Sequence, residues 1–436
     1  MNIVLLSGGS GKRLWPLSND IRSKQFIKMF KNKDDEYESM VQRVYRQIKE
    51  ADPDASITIA TSKKQVSAIH NQLSDDVSVC VEPARRDTFP AIVLAAAYMK
   101  SEKHVADDDV IIVCPVDPYV NSDYFESFLE LNEMALNGSQ NLTLMGIEPT
   151  YPSEKYGYIM PLSKDRKSDV AYFIEKPNEA DAKKYIEQGA LWNGGIFAFK
   201  LGYMLDIARQ HIDFETYQDV FKNYDKLKKI SFDYEVVEKE KAIKVMRFSG
   251  QWKDIGSWNT FSEEMHGNVI GKAVLSEGCK NTNVVNELDI PVLCMGCRNM
   301  IIAASNDGIL VSDKEKSSYM KSYVNEFDQQ VMYAEKSWGS YTVLDVQDNS
   351  MTVRIELMPG NRLYYHSHKF RDEVWNVIAG SGKVIIDGEE RLVHAGDIIT
   401  LKAGCKHTAI AKTELKIIEV QIGPEIDVND KEKFQL

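Results

Sequence analysis

At 436 residues the chain is too long for one ordinary domain, and two or three are expected. Hydrophobic residues at 43% and charged residues at 27% are the proportions of a soluble globular protein. With 53 Lys and Arg against 65 Asp and Glu the net charge is −12, and there is no basic tail or stripe. This argues against a nucleic-acid polymer or an anionic membrane as partner, and an anionic small substrate would have to be met by local cations in a cleft.

Met1-Asn2 runs straight into the apolar Ile3 to Leu6, so no secretory signal is expected, and no apolar run approaches the ~20 residues of a membrane span. Six cysteines in a chain of this length are not a disulfide framework, and the expected setting is cytoplasmic.

The run Ile3 to Leu6 reads as a buried strand, and the glycine-rich loop after it carries Lys12 and Arg13, with Lys24 a short way on. Glycines let the backbone approach a ligand that side chains would exclude, so strand, loop and cations suit phosphate. The loop is not a P-loop, because Gly11-Lys12 is followed by Arg13 and the first glycine position holds Leu6. It is not a dinucleotide fingerprint either, since Leu14 stands where the third glycine belongs. The full string GGSGKRLWPLSN, followed by Lys24-Gln25-Phe26, resembles the signature of the bacterial mannose-1-phosphate guanylyltransferases that often carry a mannose-6-phosphate isomerase domain.

Further along, Ser56 to Ala60, Val77 to Val81, Val110 to Val116 and Leu142 to Ile147 are short, apolar, β-branched runs. Met40, Val41, Val44, Tyr45 and Ile48 recur at helical spacing between them, as do Ile92, Leu94, Ala95 and Met99. Alternating β and α predicts a mostly parallel sheet covered on both faces, with ligands outside the carboxyl ends of its strands. The resemblance extends through this region. Asp117 in Pro115-Val116-Asp117-Pro118 and Asp254 in Trp252-Lys253-Asp254-Ile255-Gly256-Ser257-Trp258 match the family's two magnesium ligands. Magnesium prefers such a pair completed by phosphate oxygens and water. Glu82-Pro83-Ala84-Arg85-Arg86-Asp87 looks like the family's guanine-recognition segment, with Arg85 for Gly and Asp87 for Asn as departures.

The resemblance thus implies a nucleotide site of Leu6, Gly8, Gly9, Ser10, Gly11, Lys12, Glu82, Arg86 and Asp87. On the sugar side, Tyr156-Gly157-Tyr158-Ile159, Phe173-Ile174-Glu175-Lys176-Pro177 and Trp192-Asn193-Gly194-Gly195-Ile196-Phe197 match family motifs. They imply that Gly157, Glu175 and Asn193 hold sugar hydroxyls and that Lys176 meets the phosphate. The implied chemistry is nucleotidyl transfer, GTP and a sugar-1-phosphate giving GDP-mannose and pyrophosphate. Arg13, Lys24 and Lys176 have electrostatic roles in it, and no side chain is a nucleophile.

From about Asn268 to Val324 short strands with Gly and Asn turns predict a β connector with a helical exit. Cys294-Met295-Gly296-Cys297 within it is a single CxxC with no second pair, read as part of a strand rather than a zinc site. After Trp338 a run of short strands predicts a small barrel. Gly360, His366, His368, Glu373 and Gly380 fit the first cupin motif, and Gly396, Gly404 and His407 fit the second. Three imidazoles and a carboxylate (His366, His368, Glu373, His407) suit Zn, Mn, Fe or Ni, and His394 lies outside the motif.

The tail Ile417 to Gly423 resembles the isomerase domain of the bifunctional enzymes, but two of that domain's histidines are Lys369 and Phe370 here and a third is Val374. Isomerisation needs proton shuttling, so it stands as an alternative, as do another base or sugar and a sugar-binding cupin without transfer. The fold expected is α/β: a Rossmann-like nucleotidyltransferase domain over 1–265, a β connector over 266–330 and a cupin β-barrel over 331–436. A homodimer is an open expectation.

Overall fold

The computed structural model describes residues 1–9, 12–19, 21–74, 76–327, 330–426 and 430–435. The chain divides into two compact units, residues 1–10 with 25–266, and residues 11–24 with 267–436.

The first unit is built on a nine-stranded sheet. Its strands are β1 (Asn2–Leu6), β2 (Ser56–Ser62), β3 (Ser78–Glu82), β4 (Val110–Pro115), β6 (Leu142–Ile147), β7 (Gly157–Pro161), β8 (Lys167–Ile174), β9 (Leu191–Lys200) and β10 (Ile243–Phe248). Two short strands, β5 (Pro118–Val120) and β11 (Trp252–Asp254), form a separate ribbon. The order is β3-β2-β1-β4-β9-β6-β10-β8-β7. The first four strands are mutually parallel, and β9 enters antiparallel between β4 and β6. The predicted apolar runs become β2, β3, β4 and β6 nearly residue for residue; β2, β4 and β6 are buried on both faces, and β3 is a half-buried edge strand.

Helix α1 (Met40–Ala51) buries Met40, Val41, Val44 and Ile48 on one face and starts with a capping box at Ser39. Helix α2 (Thr88–Ser101) is apolar almost all round, and Phe89 through Ala97 are buried. It sits inside the main core with Phe197, Phe199 and Phe232. A helix without a polar face is placed in the interior by its composition alone.

In the second unit the segment 267–313 forms a coil of short strands: β12 (Val269–Gly271), β13 (Ala273–Leu275), β14 (Asn283–Asn286), β15 (Val292–Cys294), β16 (Met300–Ser305) and β17 (Gly308–Asp313). β12, β14 and β16 stack in parallel, as do β13 and β15, and β17 closes the edge antiparallel. Residues 12–19 pack on this coil. Trp15 lies 5.2 Å from Phe327, Ser305 donates to the Pro16 carbonyl at 2.7 Å, and Asn19 donates to Asp307 at 2.7 Å.

Two sheets of six and five strands follow around an apolar core centred on Trp375, Val384 and Leu415, the barrel expected from the cupin spacing. They include β18 (Asp372–Ala379), β19 (His407–Ala411) and β20 (Leu415–Ile422). Among the described residues no helix is long and apolar enough to cross a membrane.

Phe199 is 1% exposed and stacks on Phe232 at 5.9 Å. Phe199→Ala should cost about 3–5 kcal/mol, read as a lower urea midpoint of unfolding.

Candidate functional site

The parallel strands β3, β2, β1 and β4 end along one edge of the sheet, and the carboxyl ends of β1, β3 and β4 carry the first predicted residues. Leu6 closes β1 opposite Pro115 of β4, and its carbonyl accepts from Val116 N at 3.3 Å. Gly8 follows, and a Cβ there would lie 3.1 Å from Glu82 Oε1, so loop and carboxylate are in near contact. Gly9 has open space on its Cβ side, and its carbonyl accepts from Gln65 Nε2 at 3.4 Å. Glu82 is 8% exposed and accepts from the Tyr224 hydroxyl at 2.8 Å; burial pushes its carboxyl up.

Other predicted nucleotide residues are placed differently. Arg86 gives its guanidinium to the Leu227 carbonyl, at 3.1 Å from Nε and 2.8 Å from Nη2. Asp87 caps α2 by accepting from Thr88 N at 2.8 Å. Ser10 and Gly11 lie outside the described residues, while Lys12, Arg13 and Lys24 belong to the second unit.

The residues predicted for the sugar and for magnesium converge. A cleft of ≈ 210 Å³ in the first unit is lined by Asp117, Asp254, Gly157, Glu175, Lys176 and Asn193, together with Asp233, Lys155 and Tyr156. Local backbone explains each position. Antiparallel pairing of β5 with β11 sets Asp254 opposite Pro118, the neighbour of Asp117. Burial raises the Tyr156 hydroxyl, and the charges of Asp254 and Asp117 add to that rise.

Strand β9 loses register between Asn193 and Phe197, where Gly195 takes φ +76°. This irregularity turns Asn193 toward the cleft, its Oδ1 accepting from Gly195 N at 3.0 Å. Lys176 itself has φ +45°, a left-handed conformation unusual for a residue that carries a Cβ, and its ammonium is bonded to Glu175. Burial would lower the Lys176 ammonium, but the Glu175 carboxylate holds it above its ordinary value.

Asp233 is the residue that sequence reasoning missed. It opens a wide π-type turn (Asp233–Val237) and accepts from Asn193 Nδ2 at 2.6 Å. Burial, and then the Glu175 charge, push its carboxyl up to about 6. Its only sequence signal was an acid set between two aromatics, Phe232 and Tyr234.

The second unit holds a separate cluster. His366, His368 and His407 are buried with ligand atoms within 4.8 Å of one another. Each Nδ1 faces a backbone carbonyl: Tyr364 O at 2.6 Å from His366, Asp430 O from His368, and Cys405 O at 3.1 Å from His407. Those contacts put the Nδ1 proton of each ring on a carbonyl and turn Nε2 inward, where the His368 Nε2 lone pair accepts from Arg371 Nη2 at 3.2 Å. Glu373 lies 3.0 Å from His368 Nε2 and 3.2 Å from His407 Nε2, and accepts from Trp375 Nε1 at 3.1 Å. Burial alone would raise Glu373, yet the neighbouring His368 and His407 rings hold it well below the carboxylate range. The His407 Nε2 atom is buried without a hydrogen-bond donor, an orphaned lone pair that a cation satisfies. Arg371 and Glu419, absent from the predicted set, are buried beside this cluster, with Arg371 Nε 3.3 Å from Glu373.

Residues 2–268 match the nucleotidyl transferase family over more than half the chain. The chain belongs to that family. The transferase also matches the mannose-6-phosphate isomerase C-terminal family over residues 325–435. A mannose-1-phosphate guanylyltransferase of Escherichia coli (strain K12) is 27% identical, covering 99% of this chain and 97% of its own. The alginate biosynthesis protein AlgA of Pseudomonas putida is likewise 27% identical over 99% of this chain and 95% of its own. A solved structure described as a mannose-1-phosphate geranyltransferase, from Thermus thermophilus, aligns with a TM-score of 0.61 at 26% identity, over 74% of this chain and 98% of that one. The α/β transferase fold followed by a cupin-like barrel is therefore that of the transferase, and the chain is a nucleotidyltransferase enzyme.

A Cβ on Gly157 would stand 2.5 Å from Glu175 Oε2 and 2.5 Å from Phe173 Cζ. Gly157→Ala should therefore displace Glu175 and cut turnover by about 10²-fold, measured as pyrophosphate release, with thermal stability little changed.

Proposed function

We propose that the chain is a magnesium-dependent mannose-1-phosphate guanylyltransferase, making GDP-mannose and pyrophosphate from GTP and mannose-1-phosphate. The observation that carries this reading is the single cleft lined by Asp117, Asp254, Gly157, Glu175, Lys176 and Asn193. It is supported by guanylyltransferase relatives that span nearly the whole chain. The setting that goes with this reading is cytoplasmic, and the three-part division at 265 and 330 goes with it as well.

The chemistry follows from charge. A sugar-1-phosphate oxygen attacks the α-phosphorus of the triphosphate, the bond to the pyrophosphate oxygen breaks, and pyrophosphate leaves. The attacking oxygen is already ionised, so no general base is required, and placement with charge neutralisation does the catalysis. Lys176 meets the attacking phosphate. Gly157 offers its backbone, and Glu175 and Asn193 hold sugar hydroxyls, with Asp233 fixing the Asn193 amide through its 2.6 Å bond. Two hard carboxylates in one cleft fit magnesium, so Asp117 and Asp254 would hold it. When bound it neutralises phosphate charge. Glu82, beside Gly8, is the group best placed to accept from a purine base. The cationic roles of Lys12, Arg13 and Lys24 toward the triphosphate stay as the family resemblance implies them, and so do the roles of Arg86 and Asp87.

In the barrel, His366, His368, Glu373 and His407 would hold a divalent transition metal, Zn, Mn, Fe or Ni, since three imidazoles with one carboxylate suit that group. Burial and the nearby Lys431 and histidine charges push His366 down to about 2, which keeps its ring neutral.

Purified protein with magnesium, offered each NTP and a panel of sugar-1-phosphates, should release pyrophosphate with GTP and mannose-1-phosphate. Asp117→Ala and Asp254→Ala should each remove turnover by about 10³-fold or more. His368→Ala should lose bound transition metal by elemental analysis and keep full transfer. No release with any pair defeats the enzyme reading, and release with CTP or UTP alone defeats the guanylyl assignment.

Asp233 adds a pH signature. Its carboxyl is raised to about 6, so it takes up a proton as pH falls through that value and ceases to be a charged acceptor for Asn193. The KM for mannose-1-phosphate should rise below about pH 6, and Asp233→Asn should raise KM at all pH and flatten the profile. The substrate phosphate titrates near pH ~6 as well, so the part of the profile abolished by Asp233→Asn is the readout.

A further inference from the structure

The parallel coil of the second unit brings together three thiols that the transfer reaction does not use. Leu275 and Cys294 are register partners, and beyond them the chain makes two stacked turns, 276–279 and 295–297. The turns superpose closely: a Cβ on Gly278 would lie 3.6 Å from Gly296 Cα, and Lys280 bridges Arg298 in parallel with Lys280 N bonded to Cys297 O at 2.9 Å. Cys279 and Cys297 therefore occupy matching positions on adjacent coils. Parallel neighbours stand about 4.8 Å apart, inside the Cα separation that a disulfide spans. Both are partly exposed, whereas Cys294 is 5% exposed beneath them.

The surroundings of the three sulfurs differ. Cys279 Sγ lies 3.8 Å from Ser276 Oγ and 3.4 Å from the Cys294 carbonyl, and Gly296 N donates to the same Ser276 oxygen at 3.3 Å. Burial acts to raise this thiol. The backbone N–H groups of Cys297 and Gly296 and the Ser276 hydroxyl outweigh that, and the thiol sits below its ordinary value. Cys294 goes the other way, raised by burial and by its two sulfur neighbours. A hydrogen-bonded, accessible thiolate is the nucleophile in disulfide exchange, and a buried thiol is inert.

We infer that Cys279 is a thiol-modification site for low-molecular-weight disulfides, with Cys297 as its resolving thiol. In the first step the Cys279 thiolate attacks one sulfur of the small disulfide, the S–S bond breaks, and one thiolate leaves. In the second step Cys297 loses its proton to water and attacks Cys279 Sγ, and the second small thiolate departs and is protonated. Two protein thiols are oxidised by two electrons, and one small disulfide is reduced to two thiols. The product joins adjacent coils.

The test uses full-length protein incubated with oxidised glutathione at neutral pH, followed by intact mass and peptide mapping. The expected product has lost two hydrogens and contains a Cys279–Cys297 cross-link, reversed by dithiothreitol. Cys297→Ser should stop at one glutathionyl adduct on Cys279, and Cys279→Ser should leave Cys294 and Cys297 unmodified. Transfer activity and circular dichroism of each variant, expected unchanged, report folding. Three unreacted thiols in the wild type, a cross-link through Cys294, or an adduct on Cys297 in the Cys279→Ser protein would each overturn the assignment.

Discussion

The first unit's cleft gathers four carboxylates, Asp117, Glu175, Asp233 and Asp254, against two lysines, Lys155 and Lys176. That imbalance constrains everything else about it. Burial raises the proton affinity of Asp233, and the like charge of Glu175 adds to it. A phosphorylated substrate would meet repulsion in such a place unless cations came with it. Under the proposed reaction, such an acidic cleft would need a divalent cation to receive anionic reactants. The net charge of −12 for the whole chain is consistent with this arrangement. The positive charge that matters is concentrated at single points and supplied partly from solution.

The transferase cleft and the histidine cluster use the same economy. Asn193 commits its oxygen to Gly195 and its amide to Asp233, so the side chain has one orientation. Each cluster histidine commits Nδ1 to a carbonyl, so only Nε2 faces inward. In both places protein hydrogen bonds fix a polar side chain in one orientation, which is what positional chemistry requires.

The strands under the cleft were legible because burial on both faces leaves an uninterrupted apolar run, as in Val110 to Pro115. Asp117 and Asp254, which share the cleft, both stand in long motifs, and Asp117 comes directly after the apolar run Val110 to Val116. Asp233 was not, since its role depends on a wide turn bringing it to Asn193 across 40 residues of chain, and no local pattern encodes that approach. Arg86 shows the opposite case, a motif residue whose guanidinium goes to the Leu227 carbonyl, a contact between segments 141 residues apart. The CxxC of the connector was visible, but Cys279 lies outside the motif, and only the register of the coil pairs it with Cys297.

The glycine loop after β1 carries a last consequence. Residues 12–19 pack through Trp15, Pro16 and Asn19 on Phe327, Ser305 and Asp307, so the chain leaves the first unit, visits the second and returns before either is complete. The units are thus interleaved in sequence. A gene fragment ending near residue 266 would encode a chain whose Trp15 indole and Asn19 amide had lost their partners, leaving apolar surface and an unpaired polar group within the motif that defines the family. Shuffling of the transferase half between proteins has to carry the connector with it.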